Sequence, residues 1–580
     1  MINLLQKSSL GTAIIILLII GIGYRFAGLH TPMQQDEVRH NAILLGAKNI
    51  QHLKDRMEAH TQPLLAYMQK KYIWLDVILP TTNETSLKIT SALYSSASLI
   101  IVAAFFWYRK RYLLSFLSIS TLAVAIQEID AASNARHYAY ISLTSTLFIL
   151  SYYDLLFEKG KKKFQYINFY ASGFLVINAH LFTWPVIGLC FLHPIILRLI
   201  ARKNIAAYKH LAISTSILLS SIILNWFIID RLWNKGHHFS HEASTDIRPE
   251  KLADYFLSFF SQFSTPFNYQ NTILIFFSLL IINLFFIYRN SIRRDKLYFY
   301  LSIIAGLLFT LIIAMVKSKK TISLRYVICY SPMIAIITAS LINDTLCHIK
   351  TLLNKVDSKE HWKKHIANTV LLSAVICSTG LYTAHQIKNL PHNLERRSAQ
   401  SAFVNRDFIT PQEKRKNTKI RLNSGIKSIS LKIRKEKASA IAFELSDHGH
   451  LAQWEMYNKY LYRDSHPKSR IRYYYYGDKG RKEYLKTADR LKSPNYVFRD
   501  KNYDKYYKPN LSFLKKKNKY DYLLIYNYYK NPYLKTSFKD LKGYKVEKDV
   551  QGISIQKTKG KINRSDIIKV FNYLDIPQYE

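Results

Sequence analysis

Cysteine is scarce in this chain. The four cysteines, Cys190, Cys329, Cys347 and Cys377, all fall in or at the ends of apolar runs. The polar C-terminal part has none, which excludes a disulfide framework there. No Cys/His pair has metal-ligand spacing. Acidic residues are the second shortage: 39 Asp and Glu face 82 Lys and Arg over 580 residues, a formal net charge of +43. A nucleic-acid partner is nevertheless excluded by where the excess lies. Part of it sits in short loops between apolar runs, and the rest in the C-terminal tail. Such a tail surface suits anionic lipid headgroups or phosphorylated glycans, or simple solvation. A third absence is a small-residue cleavage site after the first apolar run, which is followed by further runs and reads as a retained span. Internal repeats are also lacking.

What is present is apolar length. The mean hydropathy of −0.06 averages a very apolar part with a very polar one. A membrane span takes about 20 apolar residues. About eleven such runs lie near 8–27, 87–108, 113–128, 136–157, 164–179, 181–200, 209–231, 271–288, 297–316, 323–345 and 366–386. With the N-terminus in the cytoplasm, the loops placed inside are Arg109-Lys110-Arg111, Lys159 to Lys163, Arg198 to Lys209, Arg289 to Lys296 and Lys350 to Lys364. All are basic, as cytoplasmic loops should be. Only Lys317, Lys319 and Lys320 run against the rule. The reading is a multi-pass protein of the cell (inner) membrane, with its C-terminal part extracytoplasmic or periplasmic. Composition points weakly to a bacterium.

The chain divides into a transmembrane domain, 1–386, a linker, 387–426, and an outer α/β domain, 427–580. The first outer loop, 29–86, carries two helical patterns, Val38 to Ile50 and Pro63 to Leu79. The second suits an interfacial helix with Tyr67, Tyr72 and Trp74 as belt residues. The second outer loop carries His237, His238, His241 and Glu242, which read as an exposed loop or mobile lid before a metal site. In the tail, strands are expected at 428–433, 438–445, 521–526 and 552–556, and a helix at 451–462. Tyr473–Tyr476 suit stacking on sugar rings or half-buried packing.

The informative polar residues collect at the outer ends of the spans. Asp36, Glu37 and Arg39 follow the first span, and His60 precedes the interfacial helix. Glu128, Asp130, Asn134, Arg136 and His137 occupy the turn before the fourth span, followed by Tyr138. His180 lies in the next outer turn, and Arg325-Tyr326 opens a late span. Carboxylates at that depth are costly without a partner or a task, and one task is general-base work on a hydroxyl or amine. Arginines there suit a phosphate, because the fork donates two hydrogen bonds and stays charged. Base and arginines at one membrane face fit a lipid-phosphate-linked donor.

Five elements, in order, resemble those of GT-C-type glycosyltransferases, the group that includes protein O-mannosyltransferases and the lipid A aminoarabinose transferase. Asp36-Glu37-Val38-Arg39-His40 is similar to that group's Asp-Glu-x-Arg-Tyr, with His40 in place of Tyr. Gln62-Pro63-Leu64 resembles Pro-Pro-Leu, and Ala135-Arg136-His137-Tyr138 resembles Ala-Arg-x-Tyr. Ala179-His180 resembles a Thr-His element, and Leu324-Arg325-Tyr326 with Pro332 an Arg-Tyr-Pro element. The likeness covers roughly 1–345. It implies a polytopic α-helical membrane protein that transfers a hexosyl or pentosyl group from a polyprenyl-phosphate sugar to a lipid, glycan or protein, as in lipopolysaccharide or protein glycosylation.

On that likeness Asp36 is the catalytic base, and Glu37 assists it. Arg136, Arg325 and Tyr326 bind the donor phosphate, while Arg39, His60, Asp130, His137, Tyr138 and His180 line the substrate site. The group differs in metal use, so no cofactor is fixed; a divalent ion would fall to Glu37 or Asp36. Neighbouring readings for these residues are helix capping for Asp36 and Glu37 and snorkelling for the arginines. The rival functions are a transporter, which calls for intramembrane charge and broken helices, and a non-catalytic scaffold displaying a basic exported domain.

Overall fold

The computed structural model describes residues 2–30, scattered positions between 37 and 54, 63–78, 84–158, 160, 162–226, 229, 269–289, 294–317, 327–355, 361–400 and six strands between 440 and 572. These fall into two compact units: Met1–His30, Thr61–Lys70 and Lys88–Ile409 in the first, and Thr31–His60, Lys71–Leu87 and Thr410–Glu580 in the second.

The first unit is helical. Its elements are α1 (Ile2–Ala27), α2 (Leu64–Gln69), α3 (Glu84–Tyr108, which starts in the other unit), α4 (Tyr112–Leu122), α5 (Ile126–Ser133), α6 (Tyr138–Phe157), α7 (Lys162–Ile177), α8 (Trp184–Ile200), α9 (Asn204–Leu224), α10 (Tyr269–Arg289), α11 (Arg294–Lys317), α12 (Tyr330–Lys355) and α13 (His361–Gln400). Among the described residues eight helices are long and apolar enough to cross a membrane, or nine if the bent pair α4–α5 counts as one span. Helix α7 and the apolar part of α10, Phe276–Phe285, are shorter.

Close helix contact rests on small residues. A side chain at Gly21 would meet Leu99 at 2.8 Å and Ala123 at 3.0 Å, and one at Gly28 would lie 2.3 Å from the Ser133 Cβ. Helix α1 therefore lies hard against α3 and the α4–α5 segment. Buried serines and threonines fill the neighbouring seams: Ser98 pairs with Thr146, and the Ser115 hydroxyl donates to the Ala103 carbonyl. Two ion pairs, Arg109–Asp154 and Lys296–Asp344, tie neighbouring helices together.

The span read at 113–128 is not one helix. It breaks after Leu122 and turns by 63° into α5. Glu128 and Asp130 consequently stand on a helix and not in the turn where the sequence pattern placed them. Acids in a first helical turn, here Glu128, favour helix formation through the N-terminal dipole. Only 134–137 is left as the turn into α6.

In the second unit, strands β1 (Ala440–Glu444), β2 (Arg472–Tyr476), β3 (Tyr522–Ile525), β4 (Tyr544–Asp549), β5 (Gly552–Lys557) and β6 (Ile567–Asn572) form one sheet in the order β2-β1-β3-β6-β5-β4. The pairs among β2, β1, β3 and β6 are parallel, and β6-β5 and β5-β4 are antiparallel. Strands thus form at three of the four segments read from alternation. The segment 428–433 and the expected helix 451–462 lie outside the described residues.

Candidate active site

The 134–137 turn buries a guanidinium, that of Arg136. Asn134, Ala135, Arg136, His137 and Tyr138 are all buried. The turn is fixed from three directions. From α3, the Ser91 hydroxyl donates to the Arg136 carbonyl at 3.2 Å. From the residue after α2, the Lys70 ammonium donates to the Ala135 carbonyl at 2.5 Å. From α2 itself, the Tyr67 hydroxyl shares a 3.1 Å hydrogen bond with His137 Nδ1. Proline at 63 helps α2 start there, since its fixed φ suits entry to a helix.

Arg136 reaches over the Tyr138 ring, its guanidinium carbon 4.9 Å from the centroid, and this cation–π contact orients the fork. His137 stacks on His180 with centroids 5.9 Å apart and rings 23° from parallel. Burial, and then the nearby Arg136 charge, pull the His180 imidazole down to about 3. It is therefore neutral at any ordinary pH. Its Nδ1 accepts from the Phe182 backbone N–H at 3.2 Å, so the proton sits on Nε2, which is a hydrogen-bond donor. Asp130, one turn earlier on α5, is half-buried, and its carbonyl accepts from the Ser133 hydroxyl at 2.9 Å.

The structure thus brings together Arg136, His137, Tyr138 and His180, with Asp130 on the helix that leads into their turn. Glu37 belongs to the second unit, where it is buried and its carbonyl accepts from the Asn41 amide at 2.7 Å. Asp36, Arg39, His60, Arg325 and Tyr326 lie outside the described residues, as do His237, His238, His241 and Glu242. No group of three or more metal-ligating side chains occurs among the described residues.

Two buried cations were missed by the sequence reading. Lys70 joins the site through the Ala135 carbonyl, and Lys88, one turn before Ser91 on α3, is fully buried. The available signal for Lys88 was a lone charge at the start of an apolar run. For Lys70 it was a Lys-Lys pair inside an otherwise amphipathic pattern. Chemically, the arrangement offers a fixed guanidinium, ammonium groups, a neutral imidazole donor and a carboxylate. That set suits an anionic group carrying a sugar.

No family model matches the chain, and no curated protein matches it by sequence. Among solved structures it is similar to the crystal structure of ArnT from Cupriavidus metallidurans bound to undecaprenyl phosphate, with 12% identity and a TM-score of 0.49 over 82% of this chain and 88% of that one. The apo state of the same protein matches at 11% identity and a TM-score of 0.48, with the same coverage. The archaeal oligosaccharyltransferase AglB from Archaeoglobus fulgidus, in complex with an inhibitory peptide and a dolichol-phosphate, matches at 11% identity and a TM-score of 0.42 over 79% of this chain and 64% of that one. These are GT-C proteins, the group that the sequence elements resemble. At such scores the match sets no residue of the site in correspondence.

Proposed function

We propose that this chain is an integral-membrane glycosyltransferase that moves a sugar from a polyprenyl-phosphate donor to a lipid, glycan or protein acceptor on the outer side of the membrane. The observation that supports it best is the burial of Arg136 on one inter-span turn whose Ala135 carbonyl accepts from the buried Lys70, with Asp130 on the half-helix leading into that turn. A guanidinium and an ammonium held at the outer end of the spans suit a phosphate, the anion that a lipid-linked donor carries.

The reaction is a single displacement. The acceptor oxygen or nitrogen attacks the anomeric carbon, and Asp36 takes its proton. The bond from that carbon to the phosphate oxygen breaks, and polyprenyl phosphate leaves with the electron pair. Arg136 and Lys70, with Arg325 and Tyr326, stabilise the charge growing on the leaving phosphate. Inversion at the anomeric carbon follows. Glu37 assists Asp36, or holds a divalent ion with it; neither role requires the other. The outer α/β domain and the cytoplasmic N-terminus belong to the same reading.

The test is transfer in native membranes from radiolabelled polyprenyl-phosphate sugars, wild type against Asp36→Asn. Loss of labelled product supports the base assignment, and undiminished transfer by Asp36→Asn overturns it. A second reading, a multi-span transporter, gains from the break in the α4–α5 span and from the buried charges Arg25 and Glu128. Substrate flux in proteoliposomes, with no transfer product, would favour it.

A further inference from the structure

The broken span carries the site, and one side chain sits at the break. Arg25, near the C-terminal end of α1, is 1% exposed. Its Nη2 donates to the Leu122 carbonyl at 3.0 Å and its Nη1 to the Ala123 carbonyl at 3.3 Å, the two residues where α4 ends and the chain bends. Nη1 also donates to Gly21 at 2.9 Å, and Nε to the Ser95 hydroxyl at 2.8 Å. A break inside a membrane span frees carbonyls that lipid cannot satisfy, so something in the protein must supply donors. The planar fork supplies several in one plane.

On the other side of the bend Glu128 is fully buried on α5. The Glu128 carboxylate accepts from the Ser142 hydroxyl of α6 at 2.6 Å. Ser95 connects the two partners, accepting from Arg25 and donating to the Glu128 carbonyl at 3.2 Å. One guanidinium therefore joins α1, α3, the end of α4 and, through Ser95, α5. Glu128 in turn ties α5 to α6, and the helices it joins flank the 134–137 turn on both sides.

We propose that Arg25 is a positioning residue: it sets the angle of the broken span, and so the place at which α5 presents Asp130 and the Arg136–His137 turn. It touches no reacting atom. The activity arm of the test rests on the transferase reading; the structural arm does not.

The full-length protein is compared in membranes as wild type, Arg25→Lys, and the charge-balanced double variant Arg25→Met with Glu128→Gln. The double variant leaves no buried charge unanswered, the condition under which replacing a buried pair is tolerated. Structure is read by placing a reporter at the fully buried Ala135 (Ala135→Cys) with Cys347→Ser and Cys377→Ser, and labelling it with a membrane-impermeant maleimide. The expected result is a folded protein with a lowered melting temperature, several-fold faster labelling, and a kcat lower by up to about a hundredfold with KM little changed, the signature of misplacement by about an ångström. Arg25→Lys, which keeps the charge but loses the fork, gives a smaller fall of the same kind. If both variants keep wild-type labelling and kcat, the proposal is overturned. If wild type itself transfers no sugar, the transferase reading fails, and the labelling rates still decide the role of Arg25.

Discussion

Arg136 and His180 are the residues through which the proposed reaction is most readily tested. The Arg136 fork is aimed by Tyr138 and held by Ser91 through its own carbonyl. Arg136→Met should lower transfer by about a hundredfold, the usual loss when one preorganised donor to a developing anion is removed. Arg136→Lys should recover only part of it, because an ammonium cannot make the forked contact. Initial rates with a polyprenyl-phosphate sugar check both. His180 predicts a pH effect of defined sign. Its folded value lies at about 3, below the ordinary 6.5, so the unfolded chain binds more protons between those values. The unfavourable contribution of His180 is absent above pH 6.5 and grows as the pH falls toward 3. Thermal melts across that range should show His180→Gln losing less stability on acidification than wild type. The Arg136 and His180 signals were open to a sequence reading because Ala-Arg-His-Tyr and Ala-His carry their chemistry locally. Arg25 was not, because a charge two residues from the end of an apolar run reads as a boundary. Its meaning depends on a break about a hundred residues later.

At the scale of elements, apolar length gave away most helices, since a run of about 20 such residues has few other solutions. The bend within 113–128 was hidden because Ala123-Val124-Ala125 is as apolar as a continuous helix would be. Glycine decides how α1 packs beside that bend. Gly28→Val should destabilise the bundle by about 1–3 kcal/mol, the cost of overpacking a filled contact, because the new Cβ falls on Ser133. Detergent-resistant melting of the membrane-extracted protein measures it. In the tail, β1, β3 and β5 showed alternation or a short apolar run. Strands β4 and β6, written YKVEKD and IIKVFN, interrupt theirs with lysines and were missed.

For the whole molecule, the arrangement of basic loops predicts one orientation. A phosphatase reporter fused at residue 400 should be active, and one fused at residue 110 inactive, because short Lys- and Arg-rich loops stay in the cytoplasm. The reverse pattern would move the 134–137 turn to the other face and remove the basis for an outer-side donor.

The strand order also carries a timetable. Of the described strands the last in sequence, β6, is not at the rim: it lies between β3 and β5, pairing Tyr522 with Lys569 on one side and Ile553 with Val570 on the other. The β2-β1-β3 and β5-β4 pairings need no β6, but β3 and β5 keep an open edge until it is in place. A stop codon at Ser565 should leave two half-sheets with open edges, detectable as fragments cut by protease within minutes of synthesis.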